Sequence, residues 1–205
     1  MVKIDKFIKL DEEKQDRILN AAMEEFRYGY KKASTDAIAK RAQVSKGLLF
    51  HYFDTKEQFY LFLIQHALAI LEKDYNEILD IRNGDLLESL WKEATLMHRI
   101  TMRFPYIYHF LASVNLHHRD FPDTELLTTY AQKYRAQFSA FYSHYDPDLF
   151  RTDLDLEHTV KLILWGIEGF YNEWKTTVHE KEQNHDEFLE SLRIYLDTLR
   201  IGFYK

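Results

Sequence analysis

The stretch from Ser34 to Lys56, STDAIAKRAQVSKGLLFHYFDTK, leaves the backbone little choice. Thr35 to Ala42 places apolar or small residues at Ala37, Ile38, Ala39 and Ala42, which predicts a short helix with one buried face. Ser34 or Thr35 caps it, and Gln43 and Val44 make a turn. Ser45 is a good N-cap, because its hydroxyl oxygen can accept from the first free N–H groups of a following helix, Lys46 to Phe53. Asp54, with Glu57 three residues on, has the capping-box pattern and predicts the start of a third helix. Two short helices across a tight turn are a helix-turn-helix layout, whose second helix is the one that enters a DNA groove.

The rest of the chain continues in helical periods. Only 3 Pro and 6 Gly interrupt 205 residues, so an all-α fold is expected. Asp11 to Tyr30 carries Ile18, Leu19, Ala22, Phe26 and Tyr30 at helical spacing, with Gly29 as a stop. A long helix from Asp54 to about Ile81 joins this head to the body without a flexible linker. Asp85 and Glu88 predict another capped start, for a helix through Ile100. Pro105 suits the first turn of the next helix, which carries Ile107, Phe110, Leu111 and Val114. Further helices are expected at about Thr124–His144, Leu156–His179 and Asp186–Phe203.

Charge and composition narrow the function. The net charge of −6 is uneven, at +3 over residues 1–56 and −9 over the remainder, which fits local phosphate contact by a basic head on an acidic body. Cysteine is absent, which excludes disulfides and thiol catalysis. No stretch of about 18 uncharged apolar residues is present and the N-terminus lacks a signal-peptide pattern, so a cytoplasmic location is expected. The ten histidines include no H-x-x-x-H or H-E-x-x-H spacing, and His117-His118 are loop neighbours that point apart, so no metal site is expected. Neither G-x-S-x-G nor a Gly-rich phosphate loop occurs, so neither enzyme activity nor a cofactor is expected.

From Phe26 through Gly29-Tyr30, Ser34-Thr35, Ile38-Ala39, Ala42, Val44-Ser45-Lys46-Gly47 and Phe50-His51-Tyr52-Phe53 to Lys56-Glu57, the sequence resembles the TetR family of bacterial transcriptional regulators. The likeness covers about residues 11–60; beyond them the family varies widely in sequence. The resemblance implies a nine-helix homodimer. Its three N-terminal helices bind DNA and a long fourth helix links them to the body. The next three enclose an effector pocket, and the last two pair with their mates in a four-helix interface. Residues 1–56 are then the helix-turn-helix DNA-binding domain, and residues 57–205 the effector-binding and dimerisation domain. The implied function is a repressor released from a near-palindromic operator by a small, largely apolar or aromatic effector.

Carried onto this chain, the DNA contacts fall at Thr35, Lys46, Gly47, Leu48, His51, Tyr52 and Lys56. Thr35 and Lys56 serve as phosphate anchors, and Lys46 reaches a phosphate or a guanine edge. Family members often have a small or hydroxylated residue at the place of Leu48 and a Tyr at that of Phe50, so this reading surface is more apolar than usual. That departure supports the alternative of a helical small-molecule-binding or scaffolding protein whose head does not read DNA. Effector contacts are expected among Trp91, Tyr108, Phe110, Tyr130, Tyr134, Phe138, Trp165 and Glu168, since aromatic side chains suit an apolar ligand. Each of the aromatic ones is equally well read as plain core. Dimer contacts are expected at Gly166, Gly169, Phe170, Leu192, Leu196 and Leu199.

Overall fold

The computed structural model describes residues 4–80, 84–117, 121, 128, 132, 145–177 and 185–205. Among them run nine α-helices: α1 Ile4–Ile8, α2 Glu12–Phe26, α3 Thr35–Arg41, α4 Lys46–Phe53, α5 Lys56–Asp80, α6 Leu86–Arg103, α7 Ile107–Leu116, α8 Leu156–Thr177 and α9 His185–Phe203. A short 3-10 turn covers Pro147–Leu149. The fold is all-α, as its sequence predicts. The count agrees by a different route, because α1 is additional and the expected helix Thr124–His144 lies outside the described residues.

The chain forms two compact units, Met1–Asp74 with Arg99–Ser139, and Tyr75–His98 with Ala140–Lys205. The first is built around α2. Asp11 caps that helix by accepting from the Lys14 N–H at 2.9 Å, and Gly29 ends the stretch at φ +98°, where a Cβ would press on the His117 ring at 3.3 Å. Ile18, Leu19, Met23 and Phe26 are buried on its inner face. The core of this unit is largely aromatic. Phe53 stacks on Phe59 with centroids 4.1 Å apart, and Phe26 lies 4.9 Å from Tyr60, which meets Phe110 edge-on at 5.8 Å. Burial pushes the Tyr60 phenol well above its ordinary range, with Tyr30 adding to the shift, so it stays neutral. The buried Ser113 hydroxyl donates to the Phe26 carbonyl at 3.1 Å and fastens α7 to the end of α2.

The second unit has a separate core of Leu86, Leu87, Leu90, Ala94, Phe150, Val160, Ile163, Ile167, Leu192, Leu196 and Tyr204. The capped start at Asp85 forms as predicted, with the Glu88 N–H donating to its carboxylate at 3.1 Å. The same carboxylate receives Arg200 at 2.8 Å and the Tyr204 hydroxyl at 3.0 Å, so one side chain begins α6 and anchors the end of α9.

Three expected boundaries shift. The long helix is capped by Thr55, whose hydroxyl accepts from the Gln58 N–H at 3.1 Å. Asp54 instead closes α4 at φ +57°. Pro105 lies in the turn ahead of α7, whose N-cap is Tyr106.

Candidate nucleic-acid interface

Every part of the helix-turn-helix is fixed by a cap or a buried side chain. The Ser34 hydroxyl accepts from the Ala37 N–H at 3.3 Å and starts α3. The Ser34 N–H donates to Glu25 at 3.0 Å, and Arg41 reaches Glu24 at 3.1 Å and Glu25 at 3.3 Å, which ties α3 to α2 at both ends. The turn hinges on fully buried Ala42 and on Gln43, a non-glycine residue in the left-handed region at φ +56°. Val44 N–H donates back to the Ala39 carbonyl at 3.0 Å and closes it. Ser45 caps α4 by accepting from the Leu48 N–H at 3.1 Å.

With α4 so placed, its two sides separate. Leu49, Tyr52 and Phe53 are buried at 2%, 6% and 1% exposure. Lys46, Gly47 and His51 are exposed, and Leu48 and Phe50 are half-buried. The outward side is therefore short, led by a cation and a glycine. A Cβ on Gly47 would meet nothing nearer than the Ser45 hydroxyl at 4.0 Å, so nothing within the chain requires glycine there. Lys46 is engaged in an exposed pair with Asp36 of α3, at 2.7 Å. Such a pair is worth about 0.2–1 kcal/mol, little against a phosphate contact, so it parks the ammonium at the surface without locking it. Thr35 holds the first position of α3, half-buried, where backbone N–H groups are free.

Two expected contacts are placed differently. Tyr52 belongs to the inner side of α4, where its ring meets Phe7 edge-on at 5.8 Å. The reason is α1, a helix unassigned from the sequence, which covers that ring. Its signal was Ile4, Phe7 and Ile8 at helical spacing. Lys56, at the first position of α5, holds its ammonium 4.7 Å from the centre of the Tyr30 ring. Burial lowers its pKa, and Glu25 works against that shift.

The expected effector residues do not share one setting. Phe110 is fully buried in the first unit and Tyr108 is half-buried there. In the second unit Trp91 is half-buried with the Arg193 guanidinium 5.1 Å above its ring, whereas Trp165 is 65% exposed and Glu168 is exposed. Tyr130, Tyr134 and Phe138 lie outside the described residues. An open groove of about 360 Å³ in the first unit is lined by Glu13, Asp16, Arg17, Asn20, Ala21, Glu24 and Arg41, a polar lining unsuited to an apolar ligand.

The expected dimer contacts also divide. Leu192 and Leu196, at 1% and 3% exposure, belong to the core of their own chain, and Phe170 and Leu199 pack against that core. Gly166 serves the α8–α9 contact within the chain, since a Cβ there would sit on the Tyr195 hydroxyl. Gly169 is exposed with nothing within 4 Å of a Cβ. The apolar side chains that α8 and α9 present outward are others: Leu162, Trp165, Ile194 and Ile201, at 52%, 65%, 63% and 83% exposure. Among the described residues no three His, Asp or Glu side chains converge as a metal site, and no helix is long and apolar enough to cross a membrane.

Residues 18–62 match the family model described as bacterial regulatory proteins, tetR family. No curated protein matches the chain by sequence. Solved structures match along nearly its whole length. A TetR family transcriptional regulator from Chloroflexus aurantiacus J-10-FL is 18% identical, covers 98% of each chain and has a TM-score of 0.59. The ketosteroid transcriptional regulator KstR2 of Mycobacterium tuberculosis is 17% identical, with 96% and 97% covered and a TM-score of 0.60. The transcriptional regulator FadR from Bacillus subtilis, in complex with stearoyl-CoA, is 16% identical, with 91% and 97% covered and a TM-score of 0.50.

Proposed function

For a chain that belongs to the TetR family by its head, residues 18–62, and has the fold of that family's regulators, we propose the role of a ligand-released transcriptional repressor. Residues 1–56 read the operator, and residues 57–205 bind the effector and a second copy. The observation that carries the reading is the outward side of α4: Lys46, Gly47 and His51 stand exposed on a helix fixed by the Ser45 cap and by the buried Leu49 and Phe53. Two copies present two such helices to successive major grooves, about 34 Å apart on a near-palindromic site. The exposed apolar side chains of α8 and α9 supply the surface that joins them.

The effector is a small, largely apolar or aromatic molecule. The aromatic content of residues 57–205 supports this, and a relative of the same fold, FadR, holds stearoyl-CoA. A bound effector acts by favouring a dimer whose recognition helices no longer match the groove spacing.

The test is a titration of the purified protein with duplexes tiling its own upstream region, over a range of salt. Phosphate contacts release counterions, so affinity must fall steeply with salt. Binding that is absent, or indifferent to salt, overturns the proposal. Replacing Lys46 by Ala should weaken binding and make the slope of log affinity against log salt shallower by about 1.

A further inference from the structure

A helix of five residues has no stability of its own in water, because nucleation consumes more entropy than one turn of hydrogen bonds returns. α1 exists because of Phe7. That ring is 0% exposed and lies among Tyr52, Phe53 and Phe62, with centroids 5.8, 5.0 and 5.4 Å away. Two of those three rings belong to α4. The N-terminal helix is thus seated on the recognition helix itself and moves with it.

That seat fixes two cations beside α4. Lys6, next to Phe7, and Lys9, just past the helix, are exposed, and neither has a hydrogen bond or ion pair among the described residues. The other cations of the head are engaged: Lys46 with Asp36, Lys56 over Tyr30, Arg41 with Glu24 and Glu25, Arg17 with Glu13. The acidic run that follows is occupied too. Asp11 caps α2, Glu12 pairs with Arg103, and Glu13 pairs with Arg17. Asp5 is the exposed acid of α1 and offsets one of the two lysines.

We propose that α1 is a second DNA-contacting element, in which Lys6 and Lys9 bind phosphates flanking the stretch of groove read by α4. The inference rests on the reading of α4 given above. Cations held on a packed helix lose less freedom on meeting a phosphate than cations on a loose terminus, so the seat of Phe7 makes the contact worthwhile. Phosphate contacts carry no sequence information, so α1 adds affinity and extends the footprint without altering which bases are read.

The experiment compares wild-type protein with Lys6→Gln/Lys9→Gln on the bound upstream duplex, over a salt series, with thermal melting as the fold control. Each phosphate contact contributes about 0.9 to the slope of log affinity against log salt, so the double variant should show a slope shallower by about 2, with binding about tenfold weaker at low salt. Its melting temperature should be unchanged. Trimming base pairs from the ends of the duplex should weaken the wild type towards the variant and leave the variant unaffected. The sign control, Asp5→Asn, should tighten binding. If the variant keeps the wild-type slope while both proteins bind, the role of α1 is overturned and that of α4 stands. If the wild type binds no duplex, both fall.

Discussion

Tyr52 shows how one residue's role turns on a neighbour far from it in sequence. Within the motif it stands beside His51 and invites the same outward reading. In the structure Phe7 covers it, and its ring becomes part of the aromatic cluster that holds α4 on the head. Its contribution is therefore the ring and not the hydroxyl. Tyr52→Phe should keep operator affinity within about twofold, because no hydrogen bond across the interface is lost. Tyr52→Ala should reduce stability by about 3 kcal/mol through loss of buried ring contacts, the usual range for an aromatic truncated in a core. Urea denaturation and duplex titration of the two variants check this. A Phe variant that folds normally and binds tenfold more weakly would return the hydroxyl to a phosphate.

At the scale of elements, the caps explain what was legible. Ser34, Asp11, Ser45 and Asp85 each accept the backbone N–H that a helix start leaves free, so α2, α3, α4 and α6 begin where the sequence places them. Asp54 and Thr55 both carry a suitable oxygen, and only the left-handed turn out of α4 at Asp54 passes the role to Thr55. α1 was not legible, because its five residues have too little propensity to register and are helical through a tertiary contact. Asp85 is the cap with the largest consequence. Burial opposes its ionisation, but the Glu88 N–H, the Arg200 guanidinium and the Tyr204 hydroxyl together hold its carboxyl below the usual range. A carboxyl depressed in the folded state stabilises the fold above its unfolded pKa, about 4, and loses that contribution as pH falls through the folded value. Asp85→Asn should lower stability at neutral pH by about 1–2 kcal/mol and flatten the loss of stability below pH about 4. Chemical denaturation from acid to neutral pH measures both; an unchanged acid limb would remove Asp85 from the account.

For the whole molecule, the open question is which surface meets a second copy, and there hydrophobicity alone misleads. α8 and α9 have apolar residues on two sides. A periodic stripe in the sequence marks both alike, so Leu192 and Leu196 were natural choices for an interface. Packing resolves them: the chain's own core takes Leu192 and Leu196, and Leu162, Trp165, Ile194 and Ile201 are left outward. Exposed apolar side chains of that size on adjoining helices cost hydration free energy in a free chain, which a partner surface would recover at about 25 cal/mol per Å² covered. Because these side chains contribute little to the fold of the single chain, charging them separates association from folding. Trp165→Glu with Ile194→Glu should convert a dimer to a monomer in sedimentation velocity, with the thermal melt of the monomer still cooperative. Operator affinity should fall at least about tenfold, because two half-sites are then bound by separate molecules without the effective concentration that linkage provides. A double variant that still sediments as the wild type, or a wild type that is already monomeric while binding its operator, would move the interface off these two helices.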